Sequence, residues 1–276
     1  MKIYISTDME GIPGTFNWEQ EKTNRPEVLK NYQTHITDCL NAILYSGFKE
    51  FIEEITIADS HAGGDNLSYE ITALDKRISL ISGGPRPQYM MPALDSDYTM
   101  VFLLGYHSGT GTWKGNMDHT YSNSKIFRIW INDIPMNEAI INSAYAGYKG
   151  VPVALISGDK ALEEQIAVTM PWVHFVRTKE AVAKFAAKNY SSIIVKEDLV
   201  KAVQASLAQK DIPLYTFSSP IRLKIEFHST SMTDCAALMP HTKRLDGRTI
   251  EYVDDDYGVI FEVIMALVTL AYGATL

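Results

Sequence analysis

The residues of this chain that could do chemistry stand in short clusters behind apolar runs. The first cluster is in MKIYISTDMEGIPG, where Asp8 and Glu10 lie one residue apart after the β-prone run Ile3 to Thr7. Alternate residues of a strand share a face, so both carboxylates are expected to point into one space. Two carboxylates held together repel unless a proton or a cation sits between them. Solvated acids at a strand end, or a helix cap, would read the same in so short a fragment. The rest of the chain has to separate these readings.

The pattern recurs. Asp59, Ser60 and His61 follow EITIA; His107 follows YTMVFLLGY; Asp133 and then Glu138 follow KIFRIWIN; Asp159 follows VPVALISG. In an open α/β sheet the site lies beyond the carboxyl ends of the strands. These groups are therefore expected at one edge of one sheet. A single histidine at a strand end is usually structural. Several histidines with acids are instead the nitrogen and oxygen donors that Zn²⁺ takes outside all-cysteine sites. Two histidines and three acids can hold two ions if one carboxylate bridges, and Asp8, in the middle of the set, is the natural bridge. Two ions about 3.5–4 Å apart can activate a shared water and polarise a carbonyl or phosphoryl oxygen.

The stretch GYHSGTGTWKGNMDHTYS holds four glycines, with Trp113 among them. Such a loop can move or approach a substrate closely. His119 at its far end is a candidate acid/base group that need not be a ligand. His35 in a helical pattern and His174 in an apolar strand-like run read as structural. His228 and His241 could line a pocket near the C-terminus but are not taken as ligands.

The elements that must position these groups are legible as alternating runs. KIYIST, EITIADS, RISLIS, YTMVFLLGYH, KIFRIWIND, VPVALISGD and RLKIEF have strand length and character. PEVLKNYQTHITDCLNAILYSG, MNEAIINSAYAGYKG and KEDLVKAVQASLAQ carry apolar residues at helical spacing. Alternating strands and helices imply an α/β fold, a mostly parallel sheet flanked by helices. From about Lys179 the segment TKEAVAKFAAKNYSSIIVKEDLVKAVQASLAQK, rich in alanine and lysine, reads as helical, with SIIVKEDLV a loop or a helix start. A catalytic α/β domain over 1–178 and a smaller C-terminal α/β subdomain over 179–276 are expected, with a soft boundary that leaves one continuous domain open. GVIFEVIMALVTLAYGATL reads as a buried helix rather than a membrane span, being short and interrupted by Glu262. The aspartates at 254 to 256 suit its N-terminus.

The formal net charge of −8 argues against nucleic acid as the main partner, which would demand clustered lysine and arginine. Two distant cysteines, Cys39 and Cys235, form no disulfide framework, and the opening residues are no signal peptide. A reducing, cytoplasmic setting is expected, with no membrane partner.

With Asp8, Glu10, His61, His107, His119 and Glu138 assembled, the chain resembles the D-aminopeptidases of the M55 metallopeptidase family. The blocks that carry the resemblance are S-T-D-M-E-G-I, A-D-S-H, L-G-Y-H, M-D-H-T, I-N-D-I-P-M-N-E, A-Y-A-G-Y-K-G-V-P-V, I-E-F and L-M-P, in order across nearly the whole chain. The resemblance implies a dinuclear zinc site, two Zn²⁺ per chain. In it Asp8 bridges, Glu10 and His61 complete one ion's ligands, and His107 and Glu138 the other's. It implies His119 as the catalytic histidine, short peptides with N-terminal D-residues such as D-Ala-D-Ala as substrates, and a self-compartmentalising homodecamer. Trp113 and the glycines of SGTGTWKG are where pocket shape is free to depart from the family pattern. The rival expectations are a dinuclear hydrolase of another amide or a phosphoester, and a metal-dependent peptide-binding protein without turnover.

Overall fold

The apolar runs become strands in a computed structural model that describes residues 1–23 and 25–274. In chain order the strands are β1 (Lys2–Thr7), β2 (Glu54–Asp59), β3 (Ile78–Ile81), β4 (Met100–Tyr106), β5 (Ile126–Ile131), β6 (Ile134–Pro135), β7 (Val153–Asp159), β8 (His174–Ala183), β9 (Ala186–Asn189), β10 (Ile221–Phe227), β11 (Lys243–Arg244) and β12 (Thr249–Asp254). The helices are α1 (Trp18–Thr23), α2 (Arg25–Leu44), α3 (Glu138–Tyr148), α4 (Lys160–Thr169), α5 (Ser192–Ala208), α6 (Thr230–Ala236) and α7 (Tyr257–Tyr272).

Seven strands form one sheet in the order β3-β2-β1-β4-β7-β8-β9, parallel except for β9. β1 sits between β2 and β4, with Ile3 opposite Ile55 and Met100. The chain runs outward from β1 through β2 to β3 and then restarts on β1's other side with β4. The order therefore reverses between β1 and β4, and a crevice opens there beyond the carboxyl ends. Ile3, Ile5, Phe102 and Leu104 pack toward α2 and α5, whereas Tyr4, Val101 and Leu103 pack toward α3, α4, α7 and a second sheet. Adjacent residues thus feed opposite cores, which is why these strands read as unbroken apolar runs.

The second sheet is antiparallel, in the order β11-β12-β10-β5-β6. Placing KIFRIWIN in the main sheet is therefore wrong: β5 pairs with β10 and β6. Asp133, beyond β5, is exposed and paired with Lys224 at 2.6 Å, away from the other groups.

The helical reading of the segment after Lys179 holds only from Ser192. Its first part is the β8–β9 hairpin, with Lys179 opposite Asn189. Alanine and lysine favour helix only weakly, and here pairing of β8 with β7 overrides them. SIIVKEDLV opens helix α5. Residues 178 and 179, the two sides of the expected domain boundary, are neighbours within β8. α7 is buried along Ile260, Phe261, Ile264, Leu267 and Val268, and Asp256 caps it by accepting from Gly258 N at 2.7 Å. The last two residues of the expected helix, 275–276, lie outside the described residues. No helix among the described residues is long and apolar enough to cross a membrane.

Candidate metal centre

Asp8 and Glu10 do share one space, but not through strand alternation. β1 ends at Thr7 and both acids lie in the turn immediately after it. That turn presses on β4: Asp8 N donates to Leu104 O at 2.8 Å and Gly11 N to Gly105 O at 2.7 Å. A Cβ on Gly11 would stand 1.8 Å from Tyr106 O, and one on Gly105, at φ +77°, would stand 2.1 Å from Asp8 O. Only glycine permits this approach of two backbones. His61 arrives from the turn after β2, whose carbonyls at Ser60 and Ala62 accept from Arg86. His107 is the residue after β4. Glu138 opens α3, where Asn137 caps the helix by accepting from Ile140 N at 2.8 Å. A helix N-terminus favours a carboxylate at that position.

Three groups of donors result: Asp8, Glu10 and His61; Asp8, His107 and Glu138; Glu10, His107 and His119. All six residues are buried. His61 Nδ1 lies 3.2 Å from Asp8 Oδ1 and 3.1 Å from Glu10 Oε2. His107 Nε2 lies 3.5 Å from Asp8 Oδ2 and 3.4 Å from Glu138 Oε1. Asp8 thus stands between the first two groups, one oxygen toward each. Two donors bound to one zinc at about 2.1 Å in tetrahedral geometry stand roughly 3.4 Å apart, which is the size of these spacings. Asp8 Oδ2, Glu10 Oε2 and His107 Nε2 are buried without any hydrogen bond. Buried polar atoms ordinarily find partners, and orphans in both of the groups that share Asp8 fit bound cations. The donor set therefore suits the metal that the sequence implies.

His107 Nδ1 lies 3.0 Å from Ser108 O and His119 Nδ1 2.9 Å from Met117 O. A carbonyl only accepts, so both rings carry a proton on Nδ1 and present Nε2 to the carboxylates. The rings stack with centroids 4.1 Å apart. Burial and the neighbouring Glu10 charge push Asp8 up to about 7. Burial would lower His107, but Glu138, Asp8 and Glu10 outweigh it and raise the imidazole to about 10. His119 moves down, through burial and then the charge of His107. Three clustered carboxylates thus demand positive charge in a site that water cannot easily screen.

Around the donors is a cavity of about 180 Å³, with Trp18, Tyr89, Tyr121 and Tyr272 among its walls. Trp18 meets the His119 ring edge-on at 5.8 Å. These aromatics come from α1, α7 and two loops; Tyr121 follows His119 by two residues, but no spacing in the sequence ties Trp18, Tyr89 or Tyr272 to the donors. A second, more apolar cavity of about 460 Å³ shares Ala62 and Tyr89 with the first. Trp113 lines neither; it is 84% exposed and borders a separate charged cleft with Lys160 and Glu164.

Other candidates lie elsewhere. Asp59 spends its carboxylate on Asn66 N, Leu67 N and Asn66 Nδ2, at 2.6, 2.8 and 3.0 Å. Asp159 caps α4 and accepts from Ser108 N. His35 is buried against Ser157 Oγ at 2.9 Å, as a structural histidine should be. His174 is half-buried in β8, and His228 and His241 are exposed and line neither cavity of the site.

A doubly flanked parallel sheet with carboxylates and imidazoles gathered at its switch point defines a class, the metal-dependent α/β hydrolases. The peptidase M55 family, described as D-aminopeptidase, matches residues 1–266, and the chain belongs to that family. A D-aminopeptidase of Bacillus subtilis (strain 168) is 30% identical over 280 aligned residues, covering 98% of each chain. The structure of a Zn-dependent D-aminopeptidase, DppA from Bacillus subtilis, described as a self-compartmentalizing protease, superposes with a TM-score of 0.89. It shares 27% identity, with both chains covered completely.

Proposed function

We propose that this protein is a zinc aminopeptidase that removes N-terminal D-residues from short peptides such as D-Ala-D-Ala. The observation that carries the reading is the pair of donor groups sharing Asp8, with Asp8 Oδ2, Glu10 Oε2 and His107 Nε2 buried and unbonded. Asp8, Glu10 and His61 would hold one Zn²⁺, and Asp8, His107 and Glu138 the other. Zinc there supplies Lewis-acid polarisation of the scissile carbonyl and lowers the pKa of water.

The chain's own residues do the rest. His119, with Nδ1 tied to Met117 O, offers Nε2 to the proton released as water adds to the carbonyl carbon. It then delivers that proton to the amine as the C–N bond breaks. The substrate's free N-terminal amine would bind beside the metal centre, near a carboxylate or a zinc ion. A cavity of about 180 Å³ suits a small first residue such as alanine, and the neighbouring cavity receives the second residue of the peptide. No lysine or arginine lines the donor cavity among the described residues, which speaks against phosphoester substrates. Assembly into a closed oligomer is the natural counterpart of the self-compartmentalizing relative. Two unpaired thiols, Cys39 and Cys235, fit a reducing cytoplasm.

The test is release of alanine from matched D-Ala-D-Ala and L-Ala-L-Ala by zinc-loaded protein, with a chelated control and zinc counted per chain. Chelator-sensitive release from the D,D peptide alone supports the reading. Release from the L,L peptide alone sinks the stereochemistry, and one zinc per chain sinks the dinuclear centre.

A further inference from the structure

Two buried side chains belong to none of the donor groups, yet they hold the segments that carry them. β7 and β8 pair in parallel, and after a register shift at Gly158, Asp159 stands opposite Lys179. Both are fully buried. An ammonium has three N–H donors and no acceptor. Lys179 Nζ meets three backbone carbonyls: Glu10 O, Thr15 O, and Ile12 O at 3.2 Å. Thr178, the preceding residue, places its hydroxyl 2.6 Å from Gly11 O. Two consecutive strand residues therefore bind four carbonyls of the segment from Glu10 to Thr15. That segment leaves the sheet after β1 and has no ladder of its own to satisfy them.

Asp159 serves the other side. Its carboxylate accepts from Ser108 N at 3.1 Å, Asn116 N at 3.3 Å and Ser108 Oγ at 3.4 Å. These bonds tie down both ends of the loop between His107 and His119. A buried ion is costly, and a strand that needed only to fill space would carry an apolar residue here. Instead each of the two ions is committed to one donor-bearing segment.

We propose that Lys179 and Asp159 are a cross-strand positioning pair for the metal centre, Lys179 fixing Glu10 and Asp159 fixing His107 and His119. This rests on the metal reading above. Outer residues that orient metal ligands typically contribute ten- to a hundredfold in metal affinity.

The experiment uses the full chain with Lys179→Met, Asp159→Asn, Thr178→Val and a distant control, Val203→Ala, buried on α5. Zinc affinity is read by competition with a chromophoric chelator, and ligand geometry by the visible spectrum of the Co²⁺-loaded protein. Lys179→Met and Asp159→Asn should weaken zinc ten- to a hundredfold and alter the cobalt spectrum. Thr178→Val should move both in the same direction by less, while Val203→Ala lowers the melting temperature and moves neither. Wild-type zinc affinity and cobalt spectrum in the three site variants, with only their melting lowered, would overturn the proposal. If Lys179→Met does not fold, Thr178→Val and Asp159→Asn decide by the same readouts. A wild type that binds neither metal fails the underlying reading, a result separate from any variant-to-wild-type ratio.

Discussion

Replacing His35 with glutamine should flatten the acid side of the stability profile by about 2 kcal/mol. His35 lies on α2 with Nε2 2.9 Å from Ser157 Oγ, and Gly105 N donates to the same oxygen at 2.9 Å. The hydroxyl is a neutral partner and does not compensate a charge on the ring. Burial lowers the imidazole from 6.5 to about 4, and Asp38 only partly opposes it. The unfolded chain takes up the proton near its ordinary value, and the folded chain resists until about 4. Stability from the neutral ring is therefore present above the unfolded value and is lost as pH falls between the two. Linkage over that window gives a loss of about 2 kcal/mol between pH about 7.5 and pH about 5. The assay is urea unfolding of wild type and His35→Gln at both pH values, with chelator throughout. Other groups titrate in both proteins and cancel in the difference. Equal losses, within about 0.5 kcal/mol, would refute the claim that burial sets this ionisation.

His119→Ala should keep its zinc and lose at least about a hundredfold in turnover, as expected for a proton-transfer group. Loss of zinc from the variant, measured by metal analysis after dialysis, would make His119 a ligand in the group it forms with Glu10 and His107. Gly105→Ala should lower the melting temperature by at least about 3 °C, because φ is +77° and the new Cβ meets Asp8 O. Gly150→Ala, at φ +79° but with open space around it, should cost less in the same thermal scan.

Much of the site is legible in the sequence because its donors come directly after their strands. Asp8, His61 and His107 each lie within two residues of a strand end, and strand ends are written in apolar runs. Glu138 is legible for a partly wrong reason. It reaches the crevice from a helix start, while the strand before it belongs to the second sheet. β8 is not legible, because its alanines and lysines look helical and only pairing with β7 makes them a strand. Nor are Trp18 and Tyr272, whose place beside the donors depends on contacts across most of the chain. Asp159 stands out as an acid at a strand end, but nothing local distinguishes a carboxylate that ligates from one that accepts backbone N–H groups.

The six donors are all in place in the sequence by residue 138, yet the segments that carry them are gripped by residues 159, 178 and 179 and walled by residue 272. A chain emerging from the ribosome therefore delivers its candidate metal-binding groups long before it can hold them in register. Half-made chains present loose histidines and carboxylates, not a closed site. If these groups hold zinc as proposed, its tight capture belongs to the end of synthesis, once β8 has joined the sheet and the last helix has closed over the crevice.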